Sequence, residues 1–227
     1  MSVAVLSMRI GQILELKIDS LAYGGEGVAR RRGMVYFVAD ALAGERVEAR
    51  IRSIQKKFVR AEAVKILEPS FLRRQPVCRH FGTCGGCVFQ HLAYEGQLEA
   101  KRKMLEDLLG RLGGFKEMAA ENTVASPQSR NYRNHITFLR SEGAREPRFG
   151  FVAKDNRTLI EVVECPIADA RINAVISELR MRLRKLSPAR KDRLKNIIVR
   201  VGTEGKAEEG WIQTGRAGIF PEKILTA

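Results

Sequence analysis

The sequence is short of proline, of aromatic residues and of acid. Seven prolines in 227 residues, and no serine- or glutamine-rich tract, leave no segment that reads as disordered. No apolar run approaches the roughly 18 residues of a bilayer span. Residues 1–10 also lack the basic start and the cleavage site of a secretion signal. These absences predict a cytoplasmic protein with no membrane partner. Cysteine is scarce too, at four residues, and without a secretion signal no disulfide framework is expected, because cytosolic thiols are kept reduced. Metal ligation or catalysis is what remains for them. The shortage of acid carries most: 40 Lys and Arg stand against 26 Asp and Glu, a formal +14. That is more than solubility requires and suits a polyanionic partner. Residues 171–195 hold nine basic and two acidic side chains, half of the excess in about a ninth of the chain. This segment is either a solvated basic helix or a phosphate-facing surface.

What is present suffices for a core. Apolar residues make up 44% of the chain, and its length suits one large domain or two small ones. Residues 11–19 alternate, with Leu14, Leu16 and Ile18 on one face and Glu15, Lys17 and Asp19 on the other, which predicts a half-buried strand. After the turn signals Gly24, Gly25 and Gly27, strands are expected at residues 34–38, 47–53 and 58–66. Short strands between glycine turns suggest a small oligonucleotide-binding-type barrel, although periodicity does not separate it from another small all-β module. Residues 69–92, with Pro69, Pro76, Gly82, Gly85, Gly86 and three cysteines, read as a metal-binding loop. An amphipathic helix is expected over 94–112 from Leu98, Met104, Leu105, Leu108, Leu109 and Leu112, stopped by Gly113-Gly114. Strands follow at 135–140, 148–152 and 158–163. A second helix over 169–186 has Asp169 as N-cap and a stripe of Ile172, Val175, Ile176, Leu179, Leu183 and Leu186. With further strands at 196–201 and 211–214, the second half reads as α+β.

Cys78, Cys84 and Cys87 stand as C-x5-C-G-G-C, and Cys165 follows after 77 intervening residues, beside Pro166. Three clustered thiolates and one remote one are a common way to hold a 4Fe-4S cluster, and the Cys-Pro pair matches the last ligand of bacterial ferredoxin runs. Gly85 and Gly86 permit a sharp turn and let backbone N–H groups approach sulfide. A four-cysteine zinc site is the nearest rival, but structural zinc usually shows two C-x2-C knuckles and here there is one. A catalytic thiol is the third reading, and it weakens if all four sulfurs are ligands. His80 and His91 lie near the trio and are expected to be ordinary hydrogen-bonding residues.

The sequence resembles the TRAM-bearing, iron-sulfur branch of the bacterial RNA uracil-C5-methyltransferases that act on 23S rRNA. The matching text includes Gly25-Glu26-Gly27-Val28-Ala29-Arg30, Val38-Ala39-Asp40-Ala41-Leu42-Ala43-Gly44-Glu45, residues 63–70 and the cysteine run from Cys78 to Leu92. Tyr94, Gln97, Leu98, Lys101, Tyr132-Arg133-Asn134 and residues 150–166 add to it. TRAM-bearing radical methylthiotransferases fit poorly, since their cysteine gaps are three then two residues and the first gap here is five.

The resemblance implies an α+β protein in three parts. Residues 1–68 would be the TRAM domain, an OB-like five-stranded β-barrel that binds RNA. Residues 69–92 would be the iron-sulfur loop, and 93–227 an α+β central domain carrying the fourth cluster cysteine. Cys78, Cys84, Cys87 and Cys165 would be the ligands of a structural 4Fe-4S cluster with no open iron. Members of the family continue with a Rossmann-like domain that binds S-adenosylmethionine and supplies the catalytic cysteine. No glycine loop after a strand, no Asp-Pro-Pro-Arg segment and no fifth cysteine occurs here. The expectation is therefore the N-terminal, RNA-recognising part of such an enzyme, with no catalytic residue of its own. S-adenosylmethionine would belong to the missing domain or to a separate methyltransferase chain. The alternative is a stand-alone, non-catalytic RNA-binding iron-sulfur or zinc protein. Expected phosphate contacts are Arg30, Arg31, Arg32, Lys56, Lys57 and Arg60 on the barrel, then Arg130 and Arg133, with the helix set Arg180, Arg184 and Lys185 behind them. Tyr36, Phe37 and Phe58 are stacking candidates, Phe37 being the one assigned to the core.

Overall fold

A computed structural model describes residues 8–115, 117–141, 148–185, 187 and 196–202, with the backbone of 212–213 and 219–220. Contacts divide the chain into two units, residues 1–76 with 88–125, and residues 77–87 with 126–227. Among the described residues no helix is long and apolar enough to cross a membrane.

In the first unit β1 (Ile13–Lys17), β2 (Ser20–Leu21), β3 (Gly27–Arg31), β4 (Met34–Ala39), β5 (Arg46–Ile54) and β6 (Phe58–Glu68) make one sheet in the order β1-β5-β6-β4-β3-β2. Every neighbouring pair is antiparallel except β4 and β6, which run parallel. β1 also comes against β3, so the sheet curls around what it buries. Alternation decides what that is: Leu16, Tyr36, Val38, Val47, Ala49, Ile51, Val59 and Ala61 point inward and form a closed apolar cluster. Six strands stand where the resemblance implies five; the residue pattern marks four of them and misses β3 and the two-residue β2, which is too short for any periodicity to show.

One charged group lies inside this unit. Glu45 is fully buried and its carboxylate accepts from Arg73 Nε (2.5 Å) and Nη2 (2.7 Å), from the Leu42 N–H (2.8 Å) and from the Ser70 N–H (3.2 Å). Burial alone would raise its pKa. The Arg73 guanidinium and the two N–H groups outweigh this and hold the carboxyl below its usual range.

Helix α1 (Tyr94–Arg111) belongs to the same unit, and it buries a different face from the leucine stripe the sequence suggests. Gly96, Ala100 and Met104 face inward at every fourth position, against Leu42, Leu72 and Leu92. Leu105 and Leu112 are exposed. The small residues win because they allow close approach: a Cβ on Gly96 would stand 2.8 Å from Leu92 Cδ1.

The second unit is an antiparallel sheet in the order β10-β7-β8-β9, built from β7 (His135–Arg140), β8 (Phe149–Val152), β9 (Leu159–Ile160) and β10 (Asn196–Arg200). Helix α2 (Ala170–Lys185) follows its expected stripe, with Ile172, Val175, Ile176 and Leu179 buried against Ile136, Phe138, Ile197 and Val199. The Asp169 carboxylate accepts the Arg171 N–H at 2.9 Å and caps the helix. Asp155 closes the β8–β9 turn, taking above all the Thr158 hydroxyl and then the Thr158 and Arg157 N–H groups, and these bonds hold its pKa at about 2. Leu186, Trp211 and Thr214, expected in the second helix and a late strand, lie outside the described residues. The backbone pairs β11 (Ile212–Gln213) with β12 (Ile219–Phe220).

Candidate functional site

The loop 78–87 has one large apolar side chain, Phe81, and its shape comes from main-chain bonds. The Phe81 N–H donates to the Cys78 carbonyl (3.0 Å), and the Thr83 and Cys84 N–H groups both donate to the His80 carbonyl (3.2 and 2.8 Å). The loop then lies antiparallel to the end of β8, with Gly85 N–H on the Val152 carbonyl (3.0 Å), Lys154 N–H on the Thr83 carbonyl (2.9 Å) and Cys84 opposite Ala153. Gly85 suits the close approach, since a Cβ would sit a tight 3.1 Å from the Val152 oxygen. The next N–H, of Gly86, donates to Cys84 Sγ at 3.4 Å.

Cys165 arrives from the other side. Its thiol is buried, and its peptide is fixed three times: its N–H donates to Asn173 Oδ1 (2.9 Å), while its carbonyl accepts from Asn173 Nδ2 (3.1 Å) and the Ala168 N–H (3.0 Å). Cys87 packs on the apolar cluster that contains Cys165. Burial pushes the Cys165 thiol up; the Ile167 and Ala168 N–H groups and the Arg133 guanidinium pull it back, and Cys78 adds to the rise. All four cysteines therefore belong to one unit, and they carry thiols, not disulfides. Among the described residues no three His, Cys, Asp or Glu side chains are gathered closely enough, as folded here, to hold a metal ion. Four thiols, with backbone N–H groups turned toward two of the sulfurs and a cation beside them, are the donor types that a soft metal would take.

That cation is Arg133, expected from the sequence to meet phosphate. Its main chain is stitched to the segment after Cys165, N–H to the Ile167 carbonyl (2.8 Å) and carbonyl from the Asp169 N–H (2.9 Å). Its guanidinium lies beside Gly86, 3.7 Å from where a Cβ would be. With Cys84, Gly85, His135 and Asn156 it lines a cleft of about 460 Å³. Arg130 is exposed on the same segment. His80 accepts from Arg79 Nε at 3.2 Å, and His91 is buried in the first unit.

The first six phosphate candidates lie on the six-stranded sheet. Arg30 and Arg31 end β3, Arg32 turns the chain into β4 at φ 49°, Lys56 and Lys57 form the β5–β6 turn, and Arg60 stands on β6. Arg30 is 3.7 Å from Asp19, Arg31 donates to the Glu15 carbonyl, and Arg60 pairs with Glu26. Arg180 is drawn to Glu161 and the Val162 carbonyl, while Arg184 and Lys185 are exposed. The stacking candidates divide the other way round from the expectation. Tyr36 is the core residue, its hydroxyl donating to Met8 Sδ (3.1 Å), and Phe37 is on the outer face beside Phe58. Asn173, which holds Cys165, had no signal in the sequence beyond lying on the polar side of an expected helix.

Comparison with known proteins adds the following. Residues 8–64 match the TRAM domain. A protein of Synechocystis sp., described as an uncharacterized RNA methyltransferase, is 36% identical over 171 residues, 75% of this chain and 37% of that protein. The 23S rRNA (uracil(1939)-C(5))-methyltransferase of Halomonas elongata is 34% identical over 178 residues, 78% of this chain and 36% of that one. The crystal structure of the Pyrococcus abyssi tRNA (uracil-54, C5)-methyltransferase with S-adenosyl-L-homocysteine superposes with a TM-score of 0.57 at 24% identity, over 83% of this chain and 42% of that one. That likeness is one of fold. The chain thus contains a TRAM domain, is homologous to RNA methyltransferases, and spans less than half the length of these relatives.

Proposed function

We propose, from the TRAM domain and the homology to RNA methyltransferases, that this chain is the RNA-recognising N-terminal part of an S-adenosylmethionine-dependent 23S rRNA uracil-C5-methyltransferase in the cytoplasm. The observation that carries this reading is the similarity to RNA methyltransferases over three quarters of the chain. In this reading residues 1–68 form an OB-like barrel that grips RNA, 69–92 the cysteine loop, and 93–227 the central domain, of which α1 groups with the barrel. A further methyltransferase domain, in the same protein or on a partner chain, supplies the cofactor and the catalytic cysteine.

Cys78, Cys84, Cys87 and Cys165 would hold a 4Fe-4S cluster, which when bound cross-links the loop to the segment before α2. This chain's own residues prepare that role. Asn173 fixes the Cys165 peptide, the Gly86 N–H turns to the Cys84 sulfur, and Arg133 offsets the negative charge that four thiolates gather. Arg30, Arg31, Arg32, Lys56, Lys57 and Arg60 contact phosphate on the barrel side, and Arg130 and Arg133 on the other.

Two measurements test the reading. Filter binding of unmodified 23S rRNA fragments should show affinity that falls steeply with salt, and labelled S-adenosylmethionine should yield no methylation by this chain alone. Turnover by the chain alone would sink the division of labour. Anaerobic purification with iron and sulfide analysis should find a cluster; a colourless protein holding one zinc would refute it.

A further inference from the structure

We propose that the outer face of β4 and β6 is a stacking platform for single-stranded RNA bases, formed by Phe37 and Phe58, with Arg60 parked over both rings by Glu26 until RNA arrives. The proposal rests on the RNA-binding reading above and assigns the bases, as distinct from the phosphates, a place on the protein.

Register and alternation build the platform. Phe37 stands opposite Arg60, and Val35 opposite Phe58, across the parallel β4–β6 pair. Tyr36, Val38, Val59 and Ala61 take the other face and fill the core. The core is therefore complete without the two phenyl rings, which lie half-buried on the solvent side. Their centroids are 5.6 Å apart at 79°, an edge-to-face pair that leaves ring surface open. A flat cation already uses that surface: the Arg60 guanidinium carbon is 5.6 Å from the Phe37 centroid and 5.7 Å from that of Phe58.

The surroundings suit a polyanion whose bases are flat. Lys56 and Lys57 immediately precede Phe58 and are exposed. Arg30 lies opposite Val35, on the same rung as Phe58 one strand further on. Cations interleaved with aromatic rings on a sheet face are the arrangement by which proteins hold single strands without reading sequence. Arg60 Nη1 is 2.6 Å from each Glu26 carboxylate oxygen. A base that stacks on the rings takes the place of the guanidinium, which then exchanges the Glu26 carboxylate for a backbone phosphate. Glu26 and the RNA thus compete for one cation.

The test uses the full chain and a short single-stranded oligoribonucleotide carrying 2-aminopurine, whose fluorescence is quenched on stacking. The wild type should bind at low salt and quench the probe. The double variant Phe37→Leu with Phe58→Leu should bind at least about tenfold more weakly without quenching, yet keep the same slope of log affinity on log salt. Glu26→Gln should bind more tightly than the wild type. Equal affinity and quenching in the double leucine variant would overturn the platform and leave the RNA-binding reading standing. A wild type that binds no RNA would overturn both. If the leucine variant does not fold, the wild type decides alone, because a bound but unquenched probe overturns the platform.

Discussion

The six-stranded unit and the cysteine-bearing unit differ in what lies at their centres. The first closes a continuous apolar cluster and, apart from that cluster, buries the Glu45 carboxylate with both oxygens satisfied. The second also has an apolar cluster, but a thiol sits within it, and the loop that reaches toward that thiol is held by main-chain bonds with almost no apolar burial of its own. Burial does most of the holding in the first unit, whereas the order at the cysteines of the second comes from main-chain bonds.

The sharpest way to break this contrast is Cys165→Ser. Iron and sulfide in the anaerobically purified protein should fall to background. Amide exchange at Ile136 and Phe138 should quicken, while that at Tyr36 and Val59 stays as it was. Uniform quickening in both units would erase the distinction. Next in size is Glu45→Ala, which leaves the Arg73 guanidinium only the Asp40 carbonyl and takes the acceptor from the Leu42 and Ser70 N–H groups; it should cost about 2–4 kcal/mol in urea unfolding, with iron content unchanged.

The same carboxylate sets a pH limit. Its folded pKa lies below the usual 4.5, so on acidification the unfolded chain takes up the proton first. The stability Glu45 contributes is whole above about pH 4.5 and is lost as pH falls through the lower, folded value; Glu45→Gln should lack that part of the acid limb. Asn173→Ala comes third, removing two bonds to the Cys165 peptide. It should cost about 1–3 kcal/mol and hasten iron loss to a chelator without touching RNA affinity. The smallest effect is Lys57→Ala, which should lower the salt slope of RNA binding by about 0.7–0.9.

How much of this was legible in the sequence follows from which forces leave a pattern. β1, β5 and β6 show as alternating runs because one face of each is buried, β4 shows only as a β-rich apolar run, and α2 shows as a stripe because one side of it is buried. β3 was hidden, since its text, Gly-Val-Ala-Arg-Arg, reads as turn and charge, and only pairing with β4 makes it a strand. In α1 the leucines mark an apolar face, but closeness of approach selects the side with Gly96 and Ala100, and no count of apolar residues registers that. The roles of Tyr36 and Phe37 were exchanged because adjacent aromatic residues leave the phase of the alternation open. The cysteine set was visible as residue type and spacing. Asn173 and Arg133 were not, because an amide clamping a distant peptide, or a guanidinium turned toward sulfur, is a fact of tertiary placement.

β6 lies between β5 and β4, antiparallel to one and parallel to the other. Although β1 already meets β3 on the far side of the sheet, the facing margins of β4 and β5 gain their ladder partners only from residues 58–68, so a chain cut short before Phe58 would leave two unpaired strand edges open to other chains.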